Sequence, residues 1–298
     1  MKRIIPVLAI GIFLVMAACG NSYKENRRIS KAEKVRLDSI DRIAFKVGVL
    51  PTLDCLPVYV AYDDSLFKSA GVRVHLKFFT AQMDCDTALV GGSVQGSITD
   101  LVRAERLQQR VALTYPIATN TYWQLVTNRL SRIHKLYQLS DKMIADTRFS
   151  ATDLLTDIAI KKGRPRYNVY RIQINDINIR LRMLENNEMD AMFLTEPQAT
   201  KARLLGGPVL LDSRDLDLQL GVFAFRKTDL AGRKQQMHLF IKAYNQAVDS
   251  INKHGLQFYG PLISKYCGSD PQTIKALPSL MFSHAHSPKS RDIERAKE

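Results

Sequence analysis

The distribution of apolar and turn-forming residues predicts an α/β protein built from two successive series of strand–turn–helix units. Short apolar or alternating runs, such as Ala44–Leu50, Val72–Phe79 and Val169–Ile174, recur along the chain. Segments with apolar residues three and four apart follow them at short intervals, and Gly, Pro and Asp mark the joints. Strands alternating with helices of this length indicate βαβ units and a mostly parallel sheet.

In order, Ala44–Leu50 reads as a strand stopped by Pro51, and residues 56–67 as one helix running through Lys68 and Ser69 into a turn at Gly71. Val72, Val74, Leu76 and Phe78 fall on one face of a second strand. A helix starts at Asp84 and breaks at Gly91-Gly92, followed by a strand near 94–98 and a helix over Asp100–Gln109. Val111–Tyr115 and Tyr122–Asn128 are the next strands. The second series places strands at Lys142–Asp146, Val169–Ile174 and Met192–Thr195, the last stopped at Glu196-Pro197. Helices cover Asp153–Lys162, ending at Gly163-Arg164-Pro165, and Asp176–Asn187, with Ile177, Leu181 and Leu184 on one face. Gly221–Phe225 is a further strand, and Met237, Phe240, Ile241, Tyr244, Val248 and Ile251 form a helical stripe. The tail after His284 is polar and is expected to fray, leaving His284 and His286 solvated rather than metal-binding.

The chain has 298 residues, 46% of them hydrophobic, enough for one large core or two ordinary ones. Lys2 and Arg3 precede an apolar run from Ile4 to Ala17, too short to span a bilayer, and Ala17-Ala18 lead into Cys19. That junction resembles a bacterial lipobox, in which cleavage leaves the cysteine as a lipid-modified N-terminus, although Met16 stands where Leu is commonest. The expectation is a signal segment over 1–18, a charged tether over 19–43, and a lipoprotein anchored on the periplasmic side of the cell envelope; the alternative is an ordinary cleaved signal with an incidental Cys19. Loss of the two charges Lys2 and Arg3 lowers the formal net charge from +14 to +12. The basic residues are spread along the chain (Arg103, Arg106, Arg110; Lys161, Lys162, Arg164, Arg166; Arg180, Arg182) and are not interleaved with aromatics. For an exported chain this argues against nucleic acid and for a solvated surface near a negative lipid leaflet. The remaining cysteines, Cys55, Cys85 and Cys267, form neither a disulfide framework nor a metal-ligand spacing, so no metal or cofactor is expected.

The run KVGVLPTLDCLPVYVAYDDSLFKSAGVRVHLKFF, followed by DTALVGGSVQGSITDL, resembles the first lobe of solute-binding proteins of the sulfonate, taurine and thiamine-precursor group. Gly92, Val94, Gly96 and Asp100 match that group's turn into a strand ending near Asp, and LRMLENNEMDAMFLTEPQATKARLLG repeats the pattern through Asp190, Ala191, Glu196, Pro197 and Ala199. The resemblance spans roughly residues 44–260. It implies a two-lobed periplasmic-binding-protein (type II, flytrap) fold with crossover hinge strands. Lobe 1 would comprise 44–121 and 222–298, and lobe 2 residues 122–221. It also implies a monomer that passes a small-molecule ligand to an ABC permease. Enzymes of precursor synthesis on the same fold, or a non-transport sensor or adaptor, are the alternatives. No phosphate loop, Gly-x-Ser-x-Gly elbow or His-Glu-x-x-His site points to an enzyme.

In open α/β sheets the ligand binds beyond the carboxyl ends of the strands. That rule selects Thr52, Leu53 and Asp54, then Gln82 and Asp84, then Thr99 and Asp100 in the first lobe. In the second it selects Ser150, Thr152, Asn175, Asp176 and Glu196, with Asn120, Tyr122 and Trp123 at the hinge. Asp84, Asp100, Ser150, Thr152 and Asp176 stand at helix starts, where capping alone would explain them. Trp123 is either core or a stacking platform for a flat ligand. Glu196, acidic at a buried strand end, needs a partner and is expected to hold ligand. With five acidic residues inward and no Arg at the strand ends, the cleft is expected to favour an amine or aminopyrimidine over an anion. The resemblance also makes the loops of Cys55 and Cys85 neighbours, close enough for a disulfide bracing the cleft edge; two buried free thiols are the alternative.

Overall fold

The computed structural model describes residues 30–31, 33–36 and 43–298. The expected signal segment, Cys19 and the rest of the tether lie outside the described residues, and no described helix is long and apolar enough to cross a membrane.

Among the described residues, ten strands form two five-stranded sheets. The first contains β1 (Phe45–Val49), β2 (Val74–Phe78), β3 (Gly96–Asp100), β4 (Leu113–Ala118) and β10 (Gly221–Arg226), in the order β2-β1-β3-β10-β4. β1 pairs in parallel with β2 and β3, whereas β10 runs antiparallel between β3 and β4. The second contains β5 (Gln124–Thr127), β6 (Met143–Asp146), β7 (Tyr170–Gln173), β8 (Ala191–Leu194) and β9 (Val209–Asp212), in the order β7-β6-β8-β5-β9. β8 and β10 are apolar almost throughout because both of their faces are covered, as a sheet with helices on each side requires.

The helices of the first lobe begin with α1 (Leu56–Asp63) and α2 (Leu66–Ala70), where the sequence predicts one helix. The break follows Asp63-Asp64, at Ser65, whose φ of 59° places it in the left-handed region; Gly71, at φ 89°, then ends α2. α3 (Gln82–Val90) and α4 (Leu101–Leu107) follow, then α5 (Ala151–Gly163), α6 (Ile177–Glu185) and α7 (Gln198–Leu204) in the second lobe. The chain closes with α8 (Lys227–Ala231), α9 (Lys234–His254), α10 (Gly260–Cys267), α11 (Pro271–Ala276) and α12 (Ser290–Lys297).

The expected stripe on α9 is the inner wall of the first lobe: Met237, Phe240, Tyr244, Val248 and Ile251 are buried, and Ile241 is half-buried. Phe240 sits among Phe67, Phe45 and Phe225 at ring-centroid separations of 4.9, 5.5 and 5.9 Å. Gly96 makes this layer possible, because a Cβ there would lie 2.2 Å from the Phe225 ring.

The tail does not fray as expected. Ala118 N–H donates to His286 O at 2.7 Å, and α12 packs against α4 with Asp292 and Ala296 buried. The apolar side chains that dock it, Ile293 and Ala296, are too few to show as a stripe.

Truncating Phe240 to Ala removes the ring shared by three aromatic neighbours and should cost about 3–5 kcal/mol of unfolding free energy. Urea unfolding followed by far-UV dichroism would check this; a loss below about 1 kcal/mol would mean the cluster is not the centre of the core.

Candidate functional site

The strands of both sheets end at a common cavity of about 70 Å³. From the first lobe, Leu50 and Thr52 reach it after β1, Thr80 and Gln82 after β2, and Ile98, Thr99 and Asp100 at the end of β3. Thr121 and Trp123 come from the β4–β5 connection. The second lobe contributes Thr147, Ser150 and Thr152 after β6, Asn175, Ile177 and Arg180 after β7, and Thr195 after β8.

The lobes touch around this cavity. Leu53 N–H donates to Glu196 O at 2.9 Å, Gln198 Nε2 to Pro51 O at 2.8 Å, and Arg103 Nη1 to Arg148 O at 3.0 Å. Ala81 and Asp176 form an isolated backbone bridge, and Lys201 pairs with Asp270 at 2.9 Å.

Of the residues expected at the site, Thr52, Asp54, Gln82, Thr99, Asp100, Trp123, Ser150, Thr152 and Asn175 line the cavity. Asp54 carries its two oxygens on the hydroxyls of Thr52 and Thr121, each at 2.5 Å, while burial pushes its carboxyl above the ordinary range. Asp100 and Ser150 are also helix caps: Asp100 Oδ1 accepts Arg103 N–H, and Ser150 Oγ accepts Thr152 N–H. The same Asp100 oxygen accepts Ala151 N–H from the other lobe at 3.0 Å.

Leu53, Asn120, Tyr122 and Glu196 line an adjoining hollow of about 20 Å³ with Leu280 and Phe282. Glu196, expected to hold ligand, is engaged within its own lobe. Its Oε1 accepts from Tyr122 Oη at 2.8 Å and Arg203 Nη2 at 3.0 Å, and its Oε2 from Thr200 N–H at 3.0 Å, so the partner its burial requires is its own lobe. Asp84 is exposed on α3, outside the cavity; Asp86, one helical step further in, is the buried carboxylate, held by Arg103, Gln82 and Thr99. Asp176 lies outside the lining and caps α6 through Asn178 and Ile179 N–H.

The expected absence of arginine is corrected by Arg180, which is 5% exposed and reaches the cavity wall. Its guanidinium donates to Ile174 O at 2.6 Å, Phe193 O at 3.2 Å and the Thr147 hydroxyl, leaving two of its five N–H groups uncommitted. Burial lowers its pKa to about 10, with Asp146 and Asp176 opposing the shift. The disulfide does not form either. Cys55, Cys85 and Cys267 are free thiols buried in the first-lobe core, where they pack as small apolar side chains and burial pushes each thiol up.

No family model matches the chain, and no curated protein matches it. Solved structures do match. An alkanesulfonate-binding protein from Xanthomonas axonopodis pv. citri, bound to MOPS, aligns with a TM-score of 0.70 at 17% identity over 86% of this chain and 90% of that one. The periplasmic aliphatic sulphonate-binding protein of Escherichia coli aligns with a TM-score of 0.66 at 16% identity over 85% of each chain. The periplasmic nitrate-binding protein of Synechocystis aligns with a TM-score of 0.69 at 12% identity over 81% of this chain and 75% of that one. The chain has the two-lobed periplasmic-binding-protein fold.

Burial pushes the Asp100 carboxyl from an ordinary 3.8 up to about 7, opposed by the N–H groups of Arg103 and Ala151 and the Arg103 charge. A carboxyl that holds its proton better when folded stabilises fully below its unfolded pKa, and that contribution is lost as pH rises through about 7. Asp146, raised by burial to about 6, acts in the same sense. The melting temperature should therefore fall between about pH 4 and about pH 7 and level off above, and fall less in Asp100→Asn, whose amide oxygen still accepts both N–H groups. An unchanged slope in the variant would remove Asp100 from the account.

Proposed function

We propose that the chain is a solute-binding receptor of an ABC importer, exported through the leader at 1–18, held at the membrane by a lipid on Cys19, and working as a monomer that hands a small ligand to a permease. The observation that supports this best is the cavity at the convergent strand ends of both lobes, bounded by hydrogen bonds from one lobe to the other. A ligand held there contacts both lobes and so favours the closed arrangement.

The lining narrows the ligand class. Hydroxyls of Thr52, Thr99, Thr121, Thr147, Ser150, Thr152 and Thr195 surround the cavity, with Asp54 from the first lobe and Arg180 from the second. A carboxylate and a guanidinium facing one small space suit a compact ligand with a donor, such as an amine, at one end and an acceptor at the other. Trp123 supplies a flat apolar wall. An aminosulfonate such as taurine satisfies both ends; an aminopyrimidine would use Asp54 and Trp123 and leave Arg180 without an anionic partner. The structural relatives named for sulfonates are consistent with the first choice.

Thermal shift and calorimetry with taurine, simple alkanesulfonates, nitrate, aminopyrimidines and polyamines test this. A compound at one hundred times its Kd should add about 2.7 kcal/mol of stability. Asp54→Asn should weaken an amine-bearing ligand by about tenfold or more, as should Arg180→Met if the ligand carries an anionic end. A panel in which nothing shifts the melting temperature, or variants that bind as the parent does, would reject the ligand class.

A further inference from the structure

A run of basic residues at the end of α5, with Tyr167 and Tyr170 directly after it, is joined on the second lobe by Lys135 and Tyr137 from the turn packed against it. Lys161 and Lys162 are in the last turn of α5, and Arg164 and Arg166 continue from its end. Lys135 precedes the turn Leu136–Leu139, which packs against the end of α5 so closely that a Cβ on Gly163 would lie 2.6 Å from Leu136. None of these five cations is in an ion pair with a described residue, whereas Lys142 beside them is paired with Asp190. Asp141 is the exposed carboxylate among them, its N–H bonded to Asn168 O.

The apolar component is exposed among the described residues. Tyr137, Tyr167 and Tyr170 are 56%, 59% and 50% exposed, and Met143, in register with Tyr170 across β6 and β7, is 38% exposed. Tyr167 N–H is fixed to Ser140 Oγ at 2.7 Å, and Arg166 lies over its ring at 5.2 Å. The backbone of Tyr167 is thereby tied beside the turn that carries Tyr137, with a guanidinium over its ring.

We propose that this face rests on an anionic lipid surface, with the tyrosines and Met143 at the headgroup level and the lysines and arginines on lipid phosphates. The argument is one of complementarity. Unpaired cations are attracted to a negative leaflet. Tyrosine, apolar in body and polar at its tip, is the side chain suited to the boundary between water and acyl chains. A nucleic acid or an acidic polymer would use the cations but not Met143. The inference goes beyond the solute-binding reading and stands or falls without it, since it concerns a face remote from any ligand contact.

The test uses residues 21–298, which keep every described residue and omit the apolar leader and Cys19, with vesicles of phosphatidylcholine alone or mixed with phosphatidylglycerol. Flotation should show binding to the anionic vesicles that is released by salt. The quadruple variant Lys161→Glu, Lys162→Glu, Arg164→Glu, Arg166→Glu should lose about tenfold or more of the affinity. The control Lys234→Glu, Lys242→Glu, Lys253→Glu, Lys275→Glu, on exposed first-lobe lysines, should bind as the parent does. Tyr137→Ser with Tyr167→Ser should weaken binding while leaving its salt dependence. Equal losses in both charge variants, equal binding to neutral vesicles, or capture of heparin without vesicle binding would overturn the proposal.

Discussion

The carboxylate of Asp100 accepts the N–H of Arg103 in the first turn of α4 and the N–H of Ala151 in the first turn of α5, so one side chain closes a helix end in each lobe. Helix N-termini carry unpaired donors and a partial positive charge, and a carboxylate shared between two of them answers both needs. The neighbouring contacts follow from that placement. With α4 fixed, Arg103 reaches Asp86 and also Arg148 O across the cleft, and Asp86 holds Gln82 and Thr99 at the cavity wall. The buried charge is costly, as the upward shift of the Asp100 carboxyl records. Neutralising it by protonation relieves that cost without removing the acceptor oxygen that joins the lobes.

Arg180 has the corresponding place in the second lobe. Asp176 caps α6, and the residue four positions on turns its guanidinium inward to Ile174 O, Phe193 O and Thr147. One cation thereby fixes the ends of β6, β7 and β8 relative to one another, and its side chain lines the cavity. The cavity is accordingly of mixed sign, with acceptors concentrated on the first-lobe side and the permanent cation on the other.

Much of this architecture was legible in the chain, for reasons particular elements make clear. β1, β2 and the α9 stripe are signalled by apolar periodicity, because each buries a defined face. The strand-end rule found Thr52, Asp54, Thr99, Asp100 and Asn175, since those positions depend only on where strands stop. Arg180 was missed because an arginine on a helix is ordinarily solvated, and only the rotation of α6 against β6 and β8 turns it inward. For Glu196, burial shows that an acid needs partners without showing which ones; Tyr122, Thr200 and Arg203 are those the fold supplies. Tyr167 and Tyr170 follow the basic run directly in sequence, whereas Tyr137 and Met143 are brought beside it by a turn and by β-pairing, which the sequence does not show.

The place of β10 has a consequence for how the chain can be assembled as it emerges. β4 joins the first sheet only through β10, which lies between β3 and β4. Residues 221–226 must therefore be present before β4 has any neighbour in that sheet. The second sheet is drawn entirely from residues 124–212 and has no such dependence. In synthesis from the N-terminus, the second sheet can be complete while the first still has a gap between β3 and β4. β4 then waits, unpaired, for a strand made about a hundred residues later, the kind of non-local pairing whose loop-closure entropy is met late.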